Sequence, residues 1–235
     1  MATRARARLL DTAEALFYAE GVRAVGVERI LAESGVGRAS FYRHFTGKDE
    51  LVVAVLTRRD RDWRAWLAAR VAELGGRPLD VFDALAERFA RADFRGCAFI
   101  NAIVESADPG SAAHRVAAAH KEQVTGYIAG LLGDEGYRPD GAVGLARRLV
   151  LLMDGAIVTA LREGTPAPAA EARAIAAALL AAAASGGAAS GGAAPTTAPA
   201  APAVPAAPAV PAVPAPAAPS AAGLEDPCAA PAARG

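Results

Sequence analysis

VERILAESGVGRASFYRHF, residues 27–45, reads as a helix, a tight turn and a second helix. Val27, Ile30 and Leu31 fall at i, i+3, i+4 and share one side of the first helix. Gly35 stands between Ser34 and Val36, where the chain must reverse, and only glycine takes positive φ at no steric cost. Phe41 and Phe45 recur four residues apart, so they share a face and pack inward. Arg38, Ser40, Tyr42, Arg43 and His44 are left pointing mostly outward. A helix-turn-helix sets such a second helix in the major groove of DNA.

These outward residues have natural tasks on double-stranded DNA. Arg38 can donate two parallel bonds to guanine O6 and N7, and Ser40 is short enough to meet a base edge or a phosphate. Tyr42 and Arg43 suit backbone phosphates, which fix position without reading sequence. Lys48 offers another phosphate contact, with Thr46 expected to cap the following helix. An ordinary helical hairpin with a solvated polar face would show the same spacing, because this geometry is not unique to DNA binders.

The longer run GVRAVGVERILAESGVGRASFYRHFTGKDEL resembles the DNA-binding signature of TetR-family transcriptional regulators. The matching positions are Gly35-Val36, Tyr42-Arg43-His44-Phe45 and Gly47-Lys48-Asp49-Glu50-Leu51. Two positions depart from the pattern. Gly26 stands where the family places a capping Ser or Thr, leaving a bare backbone N–H in its stead. Leu31 replaces a small alanine where the two helices cross. The resemblance implies an all-α fold of about nine helices, with a three-helix DNA-binding domain over 1–47 and a helical effector-binding and dimerisation domain over 48–184. It places the DNA contacts at Gly26, Val27, Gly37, Arg38, Ala39, Ser40, Tyr42, Arg43, His44 and Lys48. It further implies a homodimeric repressor released from a palindromic operator by a small, apolar ligand, with no cofactor.

Composition sets the limits around this motif. Of 235 residues, the stretch 185–235 is almost entirely Ala, Pro, Gly, Val and Ser, and it reads as a disordered or polyproline-like tail. The remainder is long enough for a real core. A net charge of zero argues against an electrostatic, sequence-blind nucleic-acid binder, whereas a specific regulator needs only a local basic patch, to which Arg4, Arg6 and Arg8 add. Cys97 and Cys228 form no disulfide framework, and the chain reads as cytoplasmic. The first apolar residues are interrupted by charges, so no secretory signal opens it. The longest apolar run, 149–161, contains Asp154 and is too short to span a membrane, which makes membrane function unexpected.

Helices are expected over 4–19, 47–74, from Asp80 to about 95, 97–106, 111–133, 140–163 and 169–184. Asp80 is expected to cap its helix, and Arg58, Arg59, Asp60, Arg61 and Asp62 to form a solvated, charge-paired stretch. The last two helices are rich in Ala, Leu and Val. Their stripes, with Leu149, Leu152, Ala156, Ile175 and Leu179, are expected to form the dimer interface as a four-helix bundle. An effector pocket is expected to involve Phe89, Phe99, Asn101, Glu105, Tyr127 and Asp154, although aromatics at helical spacing more often simply build core.

Other chemistries find little support. His114 and His120 fall six apart and face different ways round a helix, so no metal site is expected. Cys97 has no histidine at a persuasive spacing for catalysis and reads as a buried thiol, and no phosphate-binding loop occurs among Gly130 to Gly136. A helical enzyme using Cys97 is therefore a weaker alternative, and a helical protein-interaction module is the other.

Overall fold

The computed structural model describes residues 2–106 and 108–189, and all the regular structure among them is helical. The order is α1 (Ala2–Glu20), α2 (Val27–Ser34), α3 (Arg38–Tyr42), α4 (Lys48–Leu74), α5 (Asp80–Phe89), α6 (Ala98–Glu105), α7 (Ala112–Asp134), α8 (Pro139–Glu163) and α9 (Ala167–Ala189). The expected all-α architecture is present. The proline- and alanine-rich tail beyond residue 189 lies outside the described residues; α9 itself runs past Ser185, where that tail was expected to begin.

Apolar spacing explains the first core. Leu9, Ala13, Leu16 and Phe17 from α1 meet Val25, Ile30, Phe41 and Phe45, with Phe41 fully buried. Each large apolar side chain so buried stabilises by about 1.5–3 kcal/mol. Leu51, Val52, Val55 and Leu56 of α4 belong to the same cluster, as do Phe99 and Ala102 of α6 and Ala117 of α7. The first core therefore continues past residue 47 into the elements that follow. Gly35 ends α2 at φ 62°, and a Cβ there would meet nothing within 4 Å. Backbone conformation, not space, demands the glycine.

Neither expected cap takes its expected position. Thr46 does not cap α4: the cap position is Gly47, and Glu50 reaches back to accept from the Thr46 N–H at 2.6 Å and its hydroxyl at 2.8 Å. Those bonds hold the Glu50 carboxyl below its ordinary pKa. Asp80 likewise lies inside the first turn of α5, buried, and accepts from the Arg77 N–H at 2.9 Å. It thereby closes the turn after α4 at Gly75-Gly76-Arg77-Pro78.

The second core joins α4, α5, α7, α8 and α9 through Leu67, Phe82, Leu85, Ile128, Leu149 and Ala176, among others. Within α9, Ala167–Ser185 is long and apolar enough to cross a membrane by composition, a stretch longer than the 149–161 run singled out in the sequence. In this fold α9 packs on α5 and α8, burying Ala169, Ala172, Ala176 and Leu180.

Candidate nucleic-acid interface and internal cavity

α3 is short because its far end turns inward. Regular helix stops at Tyr42, and the His44 and Phe45 amides both donate to the Phe41 carbonyl, drawing Phe45 into the core. Arg38 (60% of its side chain exposed) and Tyr42 (52%) stand out, together with exposed Ala39 and Arg43. Arg38 pairs with Glu28 of α2 at 2.5 Å. Ser40, Val27 and Lys48 are half-buried, whereas Gly26 and Gly37 are exposed and cap α2 and α3 without side-chain hydrogen bonds. His44 departs from its expected outward direction. It is half-buried beside Phe45, and its buried Nε2 has no partner among the described residues.

Arg6 and Arg8 of α1 lie beside this surface. Arg8 donates to the Gly35 carbonyl at 3.2 Å, and the Arg6 guanidinium sits 5.5 Å from the Phe45 ring centroid.

Residues 58–62 are not the solvated stretch their composition suggests. Arg61 and Asp62 pair at the surface, but Arg58 binds Asp11 and Glu14 of α1, both at 2.6 Å. Arg59 binds Glu14 at 3.0 Å and lies over the Tyr18 ring at 4.2 Å. The Tyr18 hydroxyl accepts from the Arg95 N–H at 2.8 Å and donates to the Gly96 carbonyl at 3.2 Å. Helix α1 thus grips both α4 and the loop before α6.

That loop and α4 also wall a cavity. Trp63, Phe89, Phe94, Cys97, Phe99 and Met153 supply much of its apolar lining, and Arg59, Arg88, His120, Lys121 and Asp154 its polar groups. It is narrow, with about 30 Å³ open to the centres of water-sized molecules. His120 stacks on Phe99 at 3.6 Å, and its Nδ1 lies 2.7 Å from an Asp60 oxygen. Burial outweighs that carboxylate and pushes the imidazole pKa down to about 4. The ring is therefore neutral near pH 7, and its Nδ1–H donates to Asp60. Burial pulls the Asp60 carboxyl upward, but hydrogen bonds from Arg64 and His120 prevail and keep it low. Asp154, the acid that interrupts an apolar run, pairs with Lys121 at 2.5 Å.

Of the expected pocket residues, Phe89, Phe99 and Asp154 line this cavity. Asn101 and Glu105 do not; they face a second small cavity against Phe17, Tyr18 and Val22 of the first core. Glu105 there accepts from the Arg23 N–H at 2.8 Å. Tyr127 borders a surface groove with Arg61, Arg64 and Gln123. His120 and Arg88 were missed. A signal for His120 existed: Ala117, His120, Val124 and Ile128 form one buried stripe of α7.

The fold divides the stripe expected to form the dimer interface. Leu149 and Ala156 are buried inside the chain and Leu152 and Leu179 are half-buried, while Ile175 is exposed. The outward large apolar residues of α8 are Val143, Leu151 (73% exposed), Val158 and Leu161. The richest stripe of an amphipathic helix is taken by its own core.

A displayed short helix after a glycine turn, carried on an all-helical body, defines a helix-turn-helix protein. The description "Bacterial regulatory proteins, tetR family" matches residues 9–55. A solved TetR-family transcriptional regulator from Streptomyces coelicolor is 36% identical, with a TM-score of 0.63, over 74% of this chain and 96% of that one. The chain belongs to the TetR family of transcriptional regulators, proteins of DNA-binding regulation. The helix-turn-helix regulators SrpR and TtgW of Pseudomonas putida each match at 41% identity over 54 residues. That segment is 23% of this chain but only 25% and 40% of those two regulators.

Proposed function

We propose that this chain is a cytoplasmic homodimeric repressor that holds a palindromic operator through two copies of α3 and releases it when a small, largely apolar ligand enters the cavity. The observation that carries the ligand step is Arg59, which walls the cavity and at the same time grips Glu14 and Tyr18 of α1. A cavity of about 30 Å³ is far below the ~300–1,000 Å³ of a ligand site. A ligand therefore favours a wider arrangement, in which Arg59, Trp63 and the loop at Gly96-Cys97 have moved. Their displacement pulls on α1 and tilts the helix-turn-helix.

In the dimer, two α3 helices sit about one DNA turn apart, ~34–36 Å, and enter successive major grooves. The ligand-favoured arrangement breaks that spacing and lowers operator affinity. DNA disfavours the ligand by the same factor, and such coupling is typically ~1–3 kcal/mol.

Operator titration of Arg38→Ala and Tyr42→Ala tests the DNA contact. Each variant is expected to lose about 5- to 100-fold in affinity with the melting temperature unchanged, because both side chains are exposed. Affinity should also fall steeply with salt, with a slope set by the phosphates neutralised. Parent-like binding by both variants would remove α3 from the interface.

A further inference from the structure

The cavity holds more positive charge than its own acids neutralise, and that imbalance identifies the kind of molecule it accepts. Arg59 is answered by Glu14, Lys121 by Asp154, and neutral His120 by Asp60. Arg88 is answered by nothing: among the described residues its guanidinium has neither an ion-pair nor a hydrogen-bond partner, and it only overlies the Trp66 ring at 5.8 Å. The neighbouring acid, Asp93, is already held by Arg91 through two hydrogen bonds, at 2.8 and 3.0 Å. Arg59 and Arg91 add repulsion. Burial first, and those two cations after it, push the Arg88 pKa below its ordinary value. A cation so placed lacks its counter-charge.

We propose that the ligand is an amphipathic anion, an apolar chain ending in a carboxylate, and that Arg88 receives the carboxylate. This rests on the ligand-release reading above and narrows it to a chemical class. Guanidinium presents paired N–H donors in a fixed plane, and a carboxylate offers two oxygens at matching spacing. Phe89, Phe94, Phe99, Val150, Met153 and Ile157 then surround a hydrocarbon body. A neutral apolar molecule of the same shape leaves Arg88 desolvated and unpaired. An ammonium adds like charge beside Arg59 and Arg88.

The test uses the full-length protein with octanoate, decanoate and dodecanoate, the matching alcohols and the matching amines, all below their micelle concentrations. Binding is read by thermal shift, and operator release by fluorescence anisotropy. The carboxylates are expected to bind about tenfold or more tighter than the alcohols, a difference of ~1.4 kcal/mol, with the amines weakest. Arg88→Met should erase the preference for the carboxylate and leave alcohol binding nearly unchanged. Arg88→Lys, which keeps charge but loses the fork, should fall between. The head-group ranking in the parent protein needs no variant and so survives any folding defect. Alcohols that bind and release the operator as well as carboxylates do would overturn the anion while leaving ligand release intact. A carboxylate preference that persists in Arg88→Met would overturn the assigned residue. If none of the three series binds or releases DNA, this inference and the ligand-release reading fall together.

Discussion

Arg38 has an employer inside its own chain, since Glu28 holds it across the helix-turn-helix. Both side chains are well exposed, at 60% and 69%, so the pair adds little to folding but competes with any phosphate or guanine that approaches. Glu28→Gln is expected to leave the melting temperature unchanged and to raise DNA affinity by about 1.4- to fivefold, the worth of a surface pair at ~0.2–1 kcal/mol. Anisotropy at fixed salt measures it, and an unchanged or weaker affinity would mean the pair does not compete. His120 makes the opposite kind of residue, buried and neutral, facing Asp60, Arg64 and Lys121. Its folded pKa of about 4 lies below the ordinary 6.5. Between those values the unfolded chain binds a proton that the folded chain refuses, so this stability is full above about pH 7 and is lost as pH falls from 6.5 toward 4. Urea melts at pH 7 and pH 5 should differ by about 2 kcal/mol from this group. His120→Gln should flatten that difference, and an unaltered slope would place the acid sensitivity elsewhere.

At the scale of elements, the grip of α1 on α4 is the link through which, in the proposed ligand release, a cavity wall would move the DNA-facing unit. Glu14 is shared by Arg58 and Arg59, which are only 22% and 14% exposed. Glu14→Gln leaves both cations short of a partner, so a loss of about 1–3 kcal/mol in urea melts is expected. It should also shrink the ratio of operator affinities with and without ligand. A variant destabilised but still fully responsive would show that the signal takes another path. These contacts could not be seen in the sequence, where the 58–62 run looks like a solvated charge ladder. Only Asp60–Arg64 and Arg61–Asp62 are local; the partners of Arg58 and Arg59 lie more than forty residues away. Glycine and aromatic spacing, by contrast, are local signals, so Gly35, Phe41 and Phe45 read correctly. The length of α3 did not, since the inward turn of Phe45 is a tertiary effect.

For the whole molecule, the proposed dimer raises the question of which face of α8 and α9 would meet a second copy. The sequence marks the most apolar stripe, but Leu149 and Ala156 on it are consumed by the chain's own core. Leu151, Val158 and Ile175, from 53 to 73% exposed, are the most exposed large apolar residues of these two helices and so the ones the proposed two-fold partner would cover. Leu151→Glu is therefore expected to give a folded monomer by sedimentation, with operator affinity reduced by orders of magnitude because one half-site is abandoned. A variant that stays dimeric would move the interface to other helices. The class of fold was legible because helical periodicity and the glycine turn repeat locally. The charged lining of the cavity was not, because it depends on which stripe of each helix the core claims first.

One phenol also sets a tempo. While the Tyr18 hydroxyl clasps the Arg95 amide and the Gly96 carbonyl, that amide trades its hydrogen for deuterium only when the clasp lets go. Because the same loop walls the cavity, the protection of that single backbone hydrogen gauges how seldom the wall stands open. In the proposed ligand release, a guest using that opening would slow the exchange further once it was held, so one amide would report both the empty and the filled wall.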